Sequence, residues 1–222
     1  MSGNSRPVSS SQEGVHPSLS VVVRRHLAHD WRQPVAEHNQ VAFGQLLAWR
    51  RERGEQRRLW LDSGCGTGRA ALTLAEANPE VLVIGIDQSA ARLGRGASRF
   101  EKPPENLLLL RAECADLWRL MLSAGWQVER HCLFYPNPWP KPGHLQRRWH
   151  GHPVFPVLLQ LGRTLELRSN WALYAQEMAA ALALAGRDCE LEAFRPVTPL
   201  SDFEDKYQAS GHALWRLTSS RV

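Results

Sequence analysis

The chain has 222 residues, of which 43% are hydrophobic and 22% charged, and its 27 Lys and Arg against 22 Asp and Glu give a formal net charge of +5. That length suits one full α/β domain with little left for a second, and the composition is that of an ordinary globular protein. There is no run of eighteen apolar residues to span a membrane, and the four widely spaced cysteines (Cys65, Cys114, Cys132, Cys189) form no C-x-x-C, so neither a disulfide framework nor a zinc site is expected.

Residues 1–20 are rich in Ser and Gly and lack an apolar stretch, so they read as a disordered tail and not as a signal peptide. Residues 21–222 read as a single domain, with 21–57 a basic helical extension at its start. From Val21 to Arg53 the pattern is helical, with Phe43, Leu46, Leu47 and Trp49 on an inner stripe. A first strand over Arg58–Leu61 runs into a glycine-rich turn. A helix opens at Gly68 and stops at Asn78-Pro79. Val81–Ile86 forms the second strand, and a helix starts at Ser89. Pro103-Pro104 precedes a third strand over Asn106–Leu110, then a helix carries Leu117, Leu120, Met121 and Leu122. The fourth strand, Val128–Tyr135, runs directly into PNPWPKPGH. Gln146–Leu161 reads as a helix, Thr164–Arg168 as a strand and Trp171–Leu184 as an Ala-rich helix. Cys189–Phe194 and Ala213–Leu217 close the chain as an antiparallel pair. Alternating strands and helices imply an α/β fold, doubly wound around a mostly parallel sheet.

The chemistry concentrates in Leu61–Arg69, LDSGCGTGR. An acid, Asp62, ends the first apolar run and is followed by Gly64, Gly66 and Gly68; a second acid, Asp87, ends the second run. Glycines at the carboxyl edge of a sheet let backbone approach a ligand, and an acid after the next strand is placed to accept ribose hydroxyls. A dinucleotide G-x-G-x-x-G would need glycine at 69 or 71, where Arg69 and Ala71 stand, and no Lys-Thr follows to make a phosphate loop. The remaining pattern, D-x-G-x-G-x-G, resembles motif I of class I S-adenosylmethionine-dependent methyltransferases. Two basic groups accompany it: Arg50, Arg51, Arg53, Arg57 and Arg58, and then Lys141, His144, Arg147, Arg148, His150 and His152 with Trp139 and Trp149 among them. Basic side chains interleaved with aromatics suit RNA, through phosphate contact and base stacking. The three histidines have no acid or cysteine at matching spacing, so no metal is expected.

Four segments, LDSGCGTG, GIDQS, FYPNPWPKPGHLQRR and SDFEDKYQASGHALWRL, together resemble the bacterial tRNA (guanine-N7-)-methyltransferase family, with RSNWALYAQEM a looser fifth. The resemblance runs from about Leu59 to Leu217. It implies a class I, Rossmann-like methyltransferase with a seven-stranded sheet, S-adenosyl-L-methionine as cofactor and tRNA as partner. The widely spaced cysteines suggest reduced thiols and so a cytoplasmic protein, which works as monomer or homodimer. Asp62, Gly64, Gly66, Gly68, Asp87, Glu113 and Asn137 would hold the cofactor, and Lys141, Asn170, Ser201, Asp202, Phe203 and Glu204 the tRNA. The catalytic position falls on Asn137. Departures are marked: Asn137 and Asn170 stand where the family has aspartate, Ser201 where it has threonine, and Asp62 where it prefers glutamate. Two other readings stay open on these residues. Asn137-Pro138-Trp139 is one proline short of the N-P-P-aromatic of exocyclic-amine methyltransferases. A tRNA-binding relative that lost turnover through Asn137 and Asn170 is the second.

Overall fold

The computed structural model describes residues 4–98 and 102–221. Residues 1–3, 99–101 and 222 of the ranges named above lie outside it. Two helices, α1 (Leu19–Ala28) and α2 (Glu37–Arg53), lead into β1 (Leu59–Ser63), α3 (Arg69–Ala77), β2 (Leu82–Asp87), α4 (Ala90–Ala97), β3 (Leu107–Arg111), α5 (Cys114–Ser123) and β4 (Val128–Phe134). The second half contains α6 (Phe155–Leu161), β5 (Gly162–Ser169), α7 (Ala172–Leu184), β6 (Glu190–Phe194), α8 (Asp202–Ala209) and β7 (Leu214–Ser220).

The strands form one sheet in the order β3-β2-β1-β4-β5-β7-β6. Strand β7 runs antiparallel to both β5 and β6, so β1 to β6 share one direction and the expected C-terminal antiparallel pair is present. Both faces are covered. Along β2, Leu82, Ile84 and Ile86 enter one core while Val83 enters the other, which is why the run reads as continuously apolar in the sequence. The larger core takes residues from α1, α2, α5, α6 and α7; the smaller takes Ala70, Ala71, Leu74 and Ala75 of α3, with Tyr207 of α8 packed against it.

Several elements differ from the sequence reading. The first helical stretch divides at 29–36, where Pro34 removes an N–H and bars helical geometry at the residue before it. Both helices pack into the domain, with Val22, Val23, Leu46 and Trp49 buried in the main core. The helix expected over Gln146–Leu161 is instead two 3₁₀ turns, Pro142–Arg147 and Trp149–Gly151, followed by the short α6. Gly151 packs directly on the Leu145 carbonyl, 2.2 Å from where a Cβ would lie, and Pro153 and Pro156 prevent the turns from merging into one helix. Helix α8 is absent from the sequence reading. Its Ser201 hydroxyl accepts the Glu204 N–H at 3.1 Å, the Ser-x-x-Glu start signal that lies inside the family motif.

The disordered tail is corrected as well. Ser5 N–H donates to Ser210 Oγ at 3.0 Å, and the Ser10 hydroxyl donates to the Pro140 carbonyl. Gln12 Nε2 donates to Glu177 Oε1 at 2.6 Å, and α1 begins at Leu19. Composition points to disorder because so few apolar groups are available, but these residues are held by polar bonds to the folded body.

Candidate cofactor and RNA site

The glycine turn, the strand-end acids and the loops carrying Asn137 and Asn170 meet at one edge of the sheet, where β1 to β5 end. Asp62 and Asp87 close β1 and β2, which pair in parallel with Asp62 opposite Gly85. Glu113 follows β3, Asn137 follows β4, Asn170 follows β5, and α8 returns to the same edge before β7 starts. Such a carboxyl edge, at the point where strand order reverses between β1 and β4, is where open α/β sheets bind nucleotides.

The glycine turn is built for close approach. Gly64, Gly66 and Gly68 have φ of +77°, +62° and +80°, a region where side chains are strained. A Cβ on Gly64 or Gly66 would meet nothing within 4 Å, so the backbone faces open space; on Gly68 it would strike Leu109 at 2.6 Å. The first two therefore form a cradle and the third a packing contact. Asp87 braces this cradle from below, accepting Gly66 N–H at 2.9 Å and Ser89 N–H at 2.8 Å, with Arg92 Nη1 at 3.7 Å. A carboxylate has about four lone-pair sites, so acceptor capacity remains for a ligand hydroxyl.

Asp62 is different. It is 1% exposed and neither oxygen meets a donor in good hydrogen-bond geometry, the Ala71 backbone N–H acting on it only weakly. Burial, reinforced by the neighbouring Asp87 charge and opposed by the Ala71 backbone N–H, pushes its carboxyl up to about 7. A buried carboxylate without a well-placed donor is held at a free-energy penalty that a cationic or N–H-bearing ligand would relieve. The orphaned acid, the open glycine cradle and the partly satisfied second acid together fit the amino and ribose groups of S-adenosylmethionine. Glu113, the third expected acid, lies at the surface, where partial desolvation and then the Asp116 charge raise its carboxyl; its backbone N–H is held by Asn39 Oδ1 of α2 at 3.0 Å.

On the substrate side the sequence-expected residues separate into two sets. Asn137 and Lys141 are exposed, and Phe203 is 37% exposed. Asn170 Nδ2 lies 3.1 Å from His212 Nδ1, and Asp202 accepts the Thr67 hydroxyl at 2.7 Å, tying α8 to the glycine turn. Ser201 serves as the cap of α8. Glu204 does not face outward. It is fully buried, accepting from the Tyr135 hydroxyl at 2.8 Å, Arg168 Nη1 at 2.9 Å and Leu200 N–H at 2.6 Å. Its expected role as a tRNA contact is corrected accordingly: the carboxylate fixes the end of β4, where Tyr135 adopts φ +53°.

The basic groups are corrected too. Arg148 is 0% exposed and paired with Glu177, so it is no phosphate ligand. His150 is buried against the same glutamate, and Trp149 packs on Trp118 at 4.6 Å between ring centroids. Of this group Lys141 and Arg147 stay exposed, with Arg147 4.7 Å from the half-buried Trp139 ring. The arginines between 50 and 58 lie at the opposite edge, where β1 begins. Arg57 donates to the Pro79 carbonyl, Arg58 pairs with Glu80 and Glu129, and Arg50 sits 4.0 Å from the Trp126 ring centroid.

The sequence reading missed the cavity that joins the two halves. Its volume is about 230 Å³, and it lies among Gly66, Thr67, Arg69, Arg92, Arg95, Ser201, Phe203 and Lys206. Arg92 and Arg95 carry no motif signal, and they become meaningful only once α4 is placed beside the glycine turn. Among the described residues no group of three His, Cys, Asp or Glu is placed to hold a metal, and no helix is long and apolar enough to cross a membrane.

Comparison with known proteins follows the same lines. Residues 56–217 match the family described as "Putative methyltransferase". The tRNA (guanine-N(7)-)-methyltransferase of Leifsonia xyli subsp. xyli is 31% identical over 169 residues, covering 71% of this chain and 73% of that protein. The namesake from Nocardia farcinica is 30% identical over 187 residues, covering 76% of this chain and 69% of that protein. Among solved structures, the 16S rRNA methyltransferase KamB is 18% identical with a TM-score of 0.60, covering 85% of this chain and 94% of that one, a likeness of fold. With its glycine cradle, its paired acids and a match reaching from the start of β1 into β7, the chain belongs to the tRNA (guanine-N(7)-)-methyltransferase family.

Proposed function

We propose that this protein transfers a methyl group from S-adenosyl-L-methionine to N7 of a guanine in tRNA. The observation that carries the reading is the cavity bounded on one side by the glycine turn and on the other by α8, since it joins a cofactor loop to the element the family uses for tRNA. Bound at the cradle, the cofactor supplies an electrophilic methyl on a sulfonium. The protein's own residues orient and stabilise. Asp62 and Asp87 would hold its amino and ribose groups, with Glu113 contributing a third acid. Guanine N7 has a free lone pair and loses no proton, so no general base is needed and catalysis is positioning plus stabilisation of positive charge on the ring. Asn137, at the mouth of β4, accepts from the guanine edge with its amide oxygen. Lys141 and Arg147 meet phosphates, Phe203 and Trp139 offer stacking faces, and Asn170, Ser201 and Asp202 shape the tRNA side. The four unpaired thiols fit a cytoplasmic protein, acting as monomer or homodimer without a metal.

An amide at 137 replaces a charge-assisted acceptor with a neutral one, and such bonds differ about twofold in strength. Asn137→Asp should therefore raise kcat by roughly five- to thirty-fold, equivalent to about 1–2 kcal/mol. The test is label transfer from S-adenosylmethionine to unmodified tRNA, with the product nucleoside identified by mass. 7-Methylguanosine supports the reading, N6-methyladenosine would move the protein to the exocyclic-amine class, and no product from either form would leave it a tRNA-binding relative.

A further inference from the structure

Arg148 is the centre of a fully buried ionic cluster, and what it grips is the tRNA loop. Its Nε and Nη2 donate to the Trp139 carbonyl at 3.2 and 3.0 Å, and Nη2 reaches the Lys141 carbonyl at 3.3 Å. Those carbonyls belong to the loop that carries Asn137 and Lys141, and Trp139 within it holds φ +46°. Glu177 of α7 supplies the counter-charge, shared with His150. The remaining acceptor on the guanidinium comes from outside the region the family shares. Gln12 Oε1 accepts from both Nη1 and Nη2 of Arg148 at 3.1 Å, while its Nε2 donates to Glu177 Oε1 at 2.6 Å. Gln12 thus bridges the two buried charges with donor and acceptor in matching order, and glutamate there would repel Glu177.

The rest of the segment follows the same face. The Ser10 hydroxyl donates to the Pro140 carbonyl, one residue before Lys141. Ser5 N–H bonds Ser210 at the end of α8, and His212, whose other ring nitrogen faces Asn170, lies 3.0 Å from the Ser5 carbonyl. One strap, residues 5–16, therefore touches each of the three elements assigned to tRNA: the Asn137–Lys141 loop, Asn170 through His212, and α8. The family match begins only at residue 56.

We infer that Gln12, with Ser10, is a positioning residue for the tRNA loop, acting through Arg148 to hold Asn137 and Lys141 in their binding arrangement. This rests on the reading of that loop as a tRNA-binding element. Its effect falls more on tRNA than on the cofactor, because Asn137 is the one residue expected at the cofactor that lies on the loop it braces, and the bonds of the strap go to that loop, α7 and α8 and not to the glycine cradle, Asp62 or Asp87.

The test uses the full chain with Gln12→Ala, Gln12→Met (similar volume, no matching bonds), Arg148→Lys and the Gln12→Ala, Arg148→Lys double variant. Loss of the Gln12 bonds to Arg148 and Glu177 should raise KM for tRNA at least about tenfold in both Gln12 variants, with KM for S-adenosylmethionine within about twofold. In the Arg148→Lys background, Gln12→Ala should add less than about twofold, since residues acting through one another are not additive. Amide exchange over residues 137–147, followed by mass spectrometry, should quicken in Gln12→Ala while that of β1 and β2 stays unchanged. Wild-type tRNA KM and exchange in Gln12→Met would overturn the inference, as would parallel changes in both KM values. If the parent protein makes no 7-methylguanosine, the functional reading fails while the exchange measurement still decides the strap.

Discussion

The cofactor end and the tRNA end of this edge hold their charges in opposite ways. At the cofactor end Asp62 is buried with no well-placed donor and Gly64 and Gly66 face open space. At the tRNA end each buried charge is closed on a neighbour: Arg148 on Glu177, and Arg168 on Glu204 and Glu166. A buried acid without a full partner leaves acceptor capacity that a ligand can complete, whereas a satisfied network fixes backbone shape without asking anything of a ligand. The cofactor end thus has acceptor capacity to spare, and the tRNA end is a closed frame from which Asn137, Lys141 and Phe203, the tips proposed to meet tRNA, stand exposed. Removing a charge should have opposite signs at the two ends.

The largest effect tests the closed end. Arg148→Ala leaves Glu177 buried, still near His150 but without its main cation, and breaking one partner of a buried pair costs about 3–5 kcal/mol. At roughly 2–4 °C per kcal/mol for a domain of this size, Tm should drop by on the order of 10 °C in a calorimetric scan. A change of less than about 2 °C would mean that the cluster is not the frame described here.

The open end should respond in reverse. Asp62→Asn removes a charge that lacks a well-placed donor, so at pH 8 the unliganded protein should gain roughly 1–3 kcal/mol while its affinity for S-adenosylhomocysteine falls about tenfold or more. Its pH dependence follows from the shift to about 7. A carboxyl raised in the folded state contributes stability that is full below its unfolded value near 4 and is lost as pH rises through about 7. His131, fully buried and held down to about 3 by burial and then by Arg187, contributes the opposite trend: its stability is present above about 6.5 and declines as pH falls toward 3. Subtracting the melting curves of Asp62→Asn from those of the parent removes the histidine and leaves the Asp62 contribution alone. Ligand binding that ionises Asp62 must release a proton, so affinity should climb between pH 6 and 8 by up to about tenfold per unit below the unliganded value. Calorimetry in buffers of differing ionisation enthalpy reads the proton directly; flat affinity across that range would detach Asp62 from the cofactor.

This contrast also explains what is legible in the sequence. The open end is readable because its requirements are local: glycines at alternate positions and an acid at the end of each apolar strand name the cradle without knowledge of the fold. The alternation of strands with helices and the closing antiparallel pair are readable for a similar reason, since period and punctuation are local too. The closed end is not. Gln12 and Arg148 are 136 residues apart, and Arg168 and Glu204 are 36 apart. Nothing in either neighbourhood says which basic residue turns inward, so Arg148 passes for a phosphate ligand and Glu204 for a tRNA contact. Helix α8 is hidden for a subtler reason. Its Ser-x-x-Glu signal is present, but the glutamate is used at Leu200, Tyr135 and Arg168, and the motif reads as chemistry and not as a helix start.

The smallest expected effect probes how redundant the closed end is. Tyr135 combines a left-handed φ of +53° with a hydroxyl bonded to Glu204, and burial together with that acid pushes the phenol well above its ordinary range, so it stays a donor at any working pH. Tyr135→Phe keeps the ring, its packing against Tyr207 and the backbone geometry, and removes one bond. Glu204 still has Arg168 and the Leu200 N–H, so it is not left bare, and the loss should be about 1 kcal/mol, or roughly 2–4 °C in Tm. KM for tRNA should rise by no more than about threefold, because the arrangement of the loop after β4 is set by Arg148 as well. A fall beyond about 10 °C would show instead that the hydroxyl alone holds Tyr135 in its left-handed turn, and the network would then be a chain with a weakest link in place of a mesh.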